Sequence, residues 1–358
     1  MTDKKQSDAE TDIIEKQGEI VFLFDARDCN PNSDPLSPTN RPRIDQVTNQ
    51  CVVTEVRLKR YFRNQLRADG HGVYIADTVD EEGYAPTREY LATAVTNVDS
   101  PDDISDGFLD QFLDAATDVR YFGSTLPFST DDDGIAASLA EHLPRGFTGP
   151  IQFLPGRSIH PVRENKNYDT LSSVIATGEG KEQGAYGVSD KRIVYGLIGF
   201  SGVINRYSAN GTRLSKEDVS RLDTLCWRAI KYQANSRSKT GQHPRLYLRV
   251  TYEGGYHIGN LDTTLELGSE SKSAEKLTNV TDATVDITTL IDRLKGSSDR
   301  IQTITIAHDP FLELEGKDDT QINTNGDLKQ HLEKHINAEV TEFDPAEAHT
   351  DSQEDATQ

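Results

Sequence analysis

The sequence is poor in cysteine, methionine and tryptophan, and it has no long apolar run. Its 358 residues include three cysteines, one methionine and one tryptophan. Cys29, Cys51 and Cys226 form no metal-type spacing, and so few thiols in an odd number fit a reducing compartment. The longest apolar-rich stretch, residues 193–204, is too short to span a bilayer, and no signal-peptide pattern opens the chain. We therefore predict a cytoplasmic protein with no membrane partner.

Common signatures of cofactor-binding and hydrolytic enzymes are also missing. There is no Walker A loop, no GxGxxG after a strand and no HExxH. The Gly-rich stretch GEGKEQGAYG lacks the GK[ST] ending of a phosphate loop. GFSGV is not a nucleophile elbow, because its second glycine comes one place early. The sequence therefore predicts no cofactor, no metal and no catalytic residue.

Positive charge is scarce. Lys and Arg total 38 against 59 Asp and Glu, which gives a formal net charge of -21. Such a chain has no general affinity for nucleic acid over its whole surface. The acidic excess, the abundant Asp and Thr and the single Met favour a halophilic cytosol, where dense carboxylates stay hydrated in screening salt. An ordinary acidic bacterial protein is the alternative interpretation.

One short segment, VRLKRYFRNQLR at residues 56–67, nevertheless concentrates cations. We predict a helix over residues 52–68, on which Leu58, Phe62 and Leu66 share one face at helical spacing. The cations of the segment are Arg57, Lys59, Arg60, Arg63 and Arg67. The loop before it adds Arg41 and Arg43. A solvated helix face is one interpretation of this strip, and a surface for a phosphate backbone is the other.

The predicted elements follow the order strand, helix, strands, helix, strand. We expect strands at residues 20–25, 193–204, 245–253 and 300–307. A second helix begins after Ser215, with Asp218 three residues on as in a capping box. This βαββαβ order is typical of the ferredoxin-like fold that RNA-recognition modules share. Around this core we predict a mostly helical insertion at about 85–146, a polar C-terminal segment at 311–342, and disordered ends at 1–17 and 343–358.

Several motifs together resemble one known family. The run NPNSDP…NRPRID…TNQCVVTEVRLKRYFR, at residues 30–63, is similar to the amino-terminal signature of the backbone subunit of type I CRISPR interference complexes. This is the "Cas seven" family of Cascade, and the haloarchaeal I-B subtype is the most similar. DVRYFG at residues 118–123, GPIQFLPGRSIHPV at 149–162 and the Gly-rich segment that follows also fit. The resemblance spans about residues 18–307.

The resemblance implies an α+β fold shaped like a right hand. Its parts are a ferredoxin-like or RRM-like palm at 18–310, a helical fingers insertion, and a β-hairpin thumb at about 163–192 with its tip near residues 178–187. The implied function is non-catalytic: copies of the chain oligomerise along CRISPR RNA and support target DNA recognition through guide pairing. The other implied partners are a handle-binding subunit, a large subunit, a repeat-cleaving endoribonuclease and a helicase-nuclease recruited later.

The resemblance also assigns RNA-binding residues. They are Asn30, Asn32, Arg41 and Arg43 in the loop, Lys59, Arg60 and Arg63 on the helix, and His160, Arg163 and Lys166 further on. Arg237 and Lys239 are weaker candidates. Asp25, Asp28 and Asp34 lie beside the proposed loop contacts, and their negative charge leaves the role of the loop open.

Two residues keep a catalytic alternative open. Related type III subunits cut target RNA with a loop aspartate, which Asp34 resembles. His160 is open to three interpretations: a packed core histidine, an RNA ligand, or a general base. The alternative function is therefore an RNA-processing or target-RNA-cleaving nuclease on the same fold. An acidic oligomeric scaffold that binds no RNA is a third possibility.

Overall fold

The computed structural model describes residues 12–33, 40–76, 86–129, 134–168, 171–173, 186–188 and 190–345. The helices are α1 (Glu55–Ala68), α2 (Arg88–Thr96), α3 (Phe108–Ala115), α4 (Thr117–Phe122), α5 (Ile135–His142), α6 (Arg206–Thr212), α7 (Lys216–Gln233), α8 (Thr288–Lys295) and α9 (Asn325–His335). The strands are β1 (Gly18–Cys29), β2 (Gln50–Val53), β3 (Gly123–Thr125), β4 (Gly146–Thr148), β5 (Ile151–Phe153), β6 (Gly156–Pro161), β7 (Glu164–Asn165), β8 (Leu171–Ser173), β9 (Tyr186–Val188), β10 (Arg192–Ile204), β11 (Gln242–Tyr252), β12 (Glu266–Leu267), β13 (Thr284–Asp286), β14 (Ile301–His308), β15 (Glu313–Glu315), β16 (Gln321–Ile322) and β17 (Glu339–Glu342). The chain is therefore a mixed α+β protein.

A central sheet runs in the order β17-β14-β11-β1-β10-β6-β2, and β5 and β7 also pair with β10. Strand β1 lies in the middle, antiparallel to both β10 and β11. Its residues from Ile20 to Phe24 are all fully buried, as expected for a strand covered on both faces. The predicted strand at 20–25 is confirmed, and pairing on both sides extends it to 18–29.

The two faces of β1 belong to two different cores, because successive side chains of a strand point to opposite faces. Phe22 and Phe24 pack with Phe62 of α1 and with residues of α7. Val21 and Leu23 pack on the other face with residues of α8, α9, β11 and β14. The central sheet is thus enclosed by helices on both sides.

Both helices that cover the first face begin at caps that the sequence specifies. Ser215 and Asp218 form the predicted capping box at the start of α7. Helix α1 begins at Glu55, three residues later than predicted and after the N-cap Thr54, because residues 50–53 form β2 and pair with β6. A β-branched pair, Val52 and Val53, favours strand at this point over the first turn of a helix.

Between α1 and β5, the chain leaves the sheet for a unit with its own apolar core. Helices α2 to α5 and the β3-β4 pair lie in this unit. Phe108, Phe112, Val119 and Leu139 are buried together in it. This is the region in which the sequence predicts a helical insertion, at about 85–146.

The C-terminal segment at 311–342, which the sequence marks only as polar, is an integral part of the fold. Strands β15 and β16 join β12 and β13 in a second sheet, and β17 pairs with β14 in the central sheet. Leu314, Leu328, Leu332 and Val340 are at most 2% exposed. The strands are only two to four residues long, so their periodicity is too brief to be recognised in sequence.

The expectation that residues 1–17 are disordered is wrong for residues 12–17. Residues 12–17 lie against the start of α7, where the Ile14 amide donates to the carbonyl of Leu214 at 3.1 Å. The Ile14 side chain is buried. At the other end, Phe343 packs edge-on against Tyr247 at 5.5 Å between ring centroids. Residues 1–11 and 346–358 lie outside the described residues.

The segment expected as a thumb contains two antiparallel pairings. Strand β7 pairs with β10, and β8 pairs with β9. The predicted tip, at residues 178–187, falls mostly outside the described residues. Within the described ranges, no helix is long and apolar enough to cross a membrane.

Candidate nucleic-acid interface

Helix α1 is amphipathic as predicted. Leu58, Phe62 and Leu66 are at most 1% exposed and pack in the first core. Arg60 and Arg67 are exposed on the opposite side. The predicted face is therefore confirmed, but the cations of the helix do not form one uniform strip.

Arg63 is held in a buried ion pair. Its Nε donates to the Asp118 carboxylate at 2.8 Å, and the two side chains are 15% and 0% exposed. The same carboxylate accepts the backbone amides of Tyr74 at 2.7 Å and Ile75 at 3.2 Å. The interpretation of these cations as one solvated helix face is therefore wrong for Arg63. Its partner comes from α4, 55 residues further along the chain, where helical spacing gives no signal.

Lys59 is also partly buried, but its partners are a neutral amide and an aromatic ring. Its Nζ donates to Gln152 Oε1 at 2.7 Å and lies 5.3 Å from the centre of the Phe122 ring. Burial lowers the pKa of Lys59, and the nearby charge of Arg63 adds to this effect. The Arg63 guanidinium lies 5.5 Å from the same ring, so the two cations flank one aromatic side chain.

The DVRYFG motif joins the helical unit to helices α1 and α7. Its Asp118 binds Arg63 of α1, and its Arg120 forms a forked pair with Asp218 of α7, with both N–O distances at 2.9 Å. The Tyr121 hydroxyl donates to the Asp218 carbonyl at 2.7 Å. Sequence reasoning used this motif for the family resemblance and assigned it no role. The structure gives it a structural one.

The two asparagines of the loop are buried, and they hold the loop against the start of α1. Asn32 Oδ1 accepts from the amide of Thr54 at 2.8 Å and from its hydroxyl at 2.9 Å. Asn30 is fully buried and donates from Nδ2 to the carbonyl of Asn40 at 2.9 Å. In this geometry both side chains position the loop.

Arg41 connects the loop to the segment expected as a thumb. Its guanidinium binds Glu164 of β7 at 2.7 Å while its side chain stays 51% exposed. Arg163 and Lys166, on either side of this glutamate, are exposed. Arg43 donates to the carbonyl of Ser33 at 3.2 Å. The structure thus brings three of the predicted cations, Arg41, Arg163 and Lys166, to one place.

His160 has the geometry of a packed core histidine. It is 3% exposed and stacks on Tyr195 at 6.1 Å. Its Nδ1 lies 2.8 Å from the Pro161 carbonyl, and its Nε2 accepts from the amide of Leu197 at 3.2 Å. Both ring nitrogens are therefore engaged by backbone. Burial lowers the pKa of His160, so the ring is neutral near pH 7.

The acidic residues beside the loop are engaged elsewhere. Asp25 is buried and binds Arg245 at 2.9 Å. Asp28 accepts from Asn165 at 2.7 Å and, through its carbonyl, from Arg192 at 2.9 Å. Arg245 thus offsets the negative charge of Asp25, while the Asp28 carboxylate is held by a neutral amide. Asp34 lies outside the described residues.

The remaining candidates occupy different environments. Arg237 is exposed. Lys239 is 7% exposed, and its ammonium donates to the Asn30 carbonyl and to Ser33 Oγ. Its pKa is lowered to about 8, chiefly by burial and then by the charge of Arg57.

The fold and this interface define an α+β protein with cations gathered on one helix and on the loop and strand beside it. The sequence matches the family described as CRISPR-associated protein Cas7 over residues 16–288. A protein of Haloferax volcanii named CRISPR-associated protein Cas7 is 49% identical over 312 residues, which cover 85% of this chain and 90% of that protein. The chain belongs to the Cas7 family.

Two solved structures are also similar to the chain at low identity. They are chains of a CRISPR RNA-guided surveillance complex and of such a complex in a pre-nicking state, each 12% identical, with TM-scores of 0.45 and 0.46. Each comparison covers 92% of this chain and 97% of the other. The family predicted from the motifs is confirmed by the 49% identical relative, whose halophilic source agrees with the acidic composition.

Proposed function

We propose that this chain is the non-catalytic, RNA-binding backbone subunit of a type I-B CRISPR interference complex. Copies of it would line one guide RNA, and target DNA would be recognised by pairing with that guide. The observations that carry the proposal are the placement of Arg41 beside Glu164, between Arg163 and Lys166 in sequence, and the exposed Arg60 on α1, in a Cas7-family protein. In a chain with a net charge of -21, exposed cations on these elements favour a local anionic partner.

The strand order supports the RRM-like palm. Strands β1, β6, β10 and β11, with α1 after β1 and α7 after β10, follow the βαββαβ succession. In the sheet these strands lie in the order β11-β1-β10-β6. The helical unit between α1 and β5 corresponds to the fingers, and the β7 to β9 segment to the thumb.

The contacts divide the RNA-binding candidates into two groups. We propose that five cations contact the RNA directly: Arg41, Arg43, Arg60, Arg163 and Lys166. Lys59, which is partly buried, is proposed to lie at the edge of this contact surface. Asn30, Asn32, Arg63 and His160 are proposed to position these elements, since buried contacts occupy their side chains. Arginine suits this task in a salt-rich cytosol, because the guanidinium is weakly hydrated and binds phosphate in a forked geometry.

The proposed absence of catalysis is supported by the engagement of both His160 nitrogens. A general base needs a nitrogen within reach of the proton that it removes. We infer that DNA cleavage falls to a helicase-nuclease recruited later. The handle-binding subunit, the large subunit and the repeat-cleaving endoribonuclease are the other proposed partners.

Sequencing of the RNA that copurifies with the native chain tests the proposal. We expect discrete species bounded by CRISPR repeat sequence. Absence of RNA would favour the acidic scaffold. Magnesium-dependent cleavage of the bound RNA, lost in Asp34→Ala, would favour the nuclease.

A further inference from the structure

The second half of α7 and the chain that follows it carry no negative charge. Residues 224–252 contain no Asp or Glu, although Asp and Glu make up 59 of the 358 residues of the chain. Lys231 and Arg237 of this stretch are exposed. A stretch without carboxylates keeps the local potential positive in an otherwise acidic protein. This part of the surface is therefore open to a polyanion that the rest of the exterior repels.

An exposed aromatic side chain lies between cations on this surface. Tyr232 is 43% exposed. The Lys231 ammonium lies 5.5 Å from the centre of its ring, and the Arg228 guanidinium lies 5.9 Å from the same point. A partly exposed ring beside positive charges is the arrangement by which proteins bind single-stranded nucleic acid, since bases stack on the ring and phosphates pair with the cations.

Contacts with α1 fix the position of this ring. The guanidinium of Arg228 donates to both carboxylate oxygens of Asp69, at 2.7 Å and 2.8 Å. One turn on, Gln233 donates to Gln65 of α1 at 2.9 Å. The cation beside Tyr232 is thus held in place next to the C-terminal end of α1, where Arg67 is exposed. We call Arg67, Arg228, Lys231 and Tyr232 the Tyr232 surface.

The Tyr232 surface is separate from the surface proposed for the guide RNA. The loop that carries Arg41 is tied to the N-terminal end of α1, where Asn32 accepts from the amide of Thr54 at 2.8 Å. Asp69, which holds Arg228, follows the last residue of the same helix. Fifteen residues at the rise of an α-helix span about 20 Å. The two surfaces therefore lie at opposite ends of α1.

We infer that the Tyr232 surface binds the DNA strand that is displaced when the guide pairs with its target. The inference rests on the proposed function and adds a second nucleic-acid site to it. The target strand pairs with the guide and follows the same path, so its bases are occupied. The displaced strand has an anionic backbone and unpaired bases. Stacking on a tyrosine accepts any base, as a strand of arbitrary sequence requires.

Photo-crosslinking of the native complex identifies the strand that lies on Tyr232. The complex is assembled on a guide RNA and bound to a target duplex, with 5-iodouracil placed in the displaced strand, the target strand or the guide in separate samples. This base crosslinks to an aromatic ring on which it stacks. We expect peptide mass spectrometry to find the crosslink at Tyr232 from the displaced strand. A crosslink at Tyr232 from the guide or the target strand alone would overturn the inference.

A titration of the guide-loaded complex with labelled oligothymidine, followed by fluorescence anisotropy at constant KCl, measures the contribution of the ring. Tyr232→Ala should weaken binding by about tenfold, which is within the range for one stacked base. Tyr232→Phe keeps the ring and should stay within about twofold of the parent. Tyr207→Ala is the matched control and should also stay within about twofold. Tyr207 is 69% exposed and has the Arg206 guanidinium 4.6 Å from its ring centre, but it lies on α6.

The outcomes separate this surface from the proposed function. If the parent assembles no complex with guide RNA, or the complex does not bind the target duplex, the proposed function fails. If the complex binds the duplex but Tyr232→Ala and Tyr207→Ala bind oligothymidine equally well, the Tyr232 surface alone is wrong. If Tyr232→Ala lowers the guide RNA content of the complex, the surface belongs to the guide and the assignment to the displaced strand is overturned. Crosslinking uses the parent chain, so it decides the question even for a variant that does not assemble.

Discussion

Replacement of Arg63 by alanine should destabilise the folded chain far more than loss of a surface cation does. The change leaves the Asp118 carboxylate, which is fully buried, without its cation. Removal of one partner from a buried pair costs about 3–5 kcal/mol. Asp118 keeps the amides of Tyr74 and Ile75, and Arg63 is 15% exposed, so we expect the lower limit, about 3 kcal/mol.

The assay is urea unfolding of the parent and the variant in the same molar KCl, where a lower midpoint with an unchanged m-value reports stability. Arg67→Ala, one turn further along α1 and exposed, is the control and should stay within about 0.5 kcal/mol of the parent. Asp118→Asn, alone and with Arg63→Ala, completes a double-mutant cycle. A cost for Arg63→Ala no larger than that for Arg67→Ala would refute the structural role of this pair.

Three other predictions concern binding, assembly and pH. Arg60→Ala should lower the RNA content of the purified chain without lowering its unfolding midpoint; an unchanged ratio of absorbance at 260 and 280 nm would count against it. Deletion of residues 178–187 should leave a folded chain that retains RNA but fails in an interference assay, because a Gly-rich segment with few apolar residues can be removed at low cost; full interference would reduce it to a linker. Burial lowers the pKa of His160 and His308, so the unfolded chain takes up protons that the folded chain does not, and stability should drop as the pH falls below about 6.5. His160→Gln should remove part of that drop, and an identical pH profile of the variant would contradict this.

Local signals in the sequence predicted the parts of the fold that local physics determines. The buried run at Ile20, the capping box of Ser215 and the 3.6-residue spacing of Leu58 and Phe62 each specify one element through neighbouring residues. These elements are present as β1, α7 and α1. The alternating strand at 300–307 is present as β14 for the same reason.

The candidate site was less predictable, because its geometry depends on residues far apart in sequence. The sequence around Arg63 does not predict its partner Asp118, and the sequence around Arg41 does not predict its partner Glu164. The residues of these two pairs lie 55 and 123 positions apart in the chain. From the charge pattern alone, every cation of α1 was an equally good candidate for RNA contact. The folded contacts separate those with buried partners from those that face solvent. Motif resemblance gave the family correctly, but a motif does not distinguish an RNA ligand from a residue that holds the fold, as His160 illustrates.

The mass of complexes assembled on guides of different length tests the central claim most directly. A backbone subunit binds along the guide, so native mass spectrometry of complexes on CRISPR RNAs with progressively longer spacers should show the copy number of this chain rising in steps with spacer length. The same complexes should keep their RNA in molar KCl. A copy number that stays constant while the spacer grows would contradict the proposed role of this chain as the backbone of the complex.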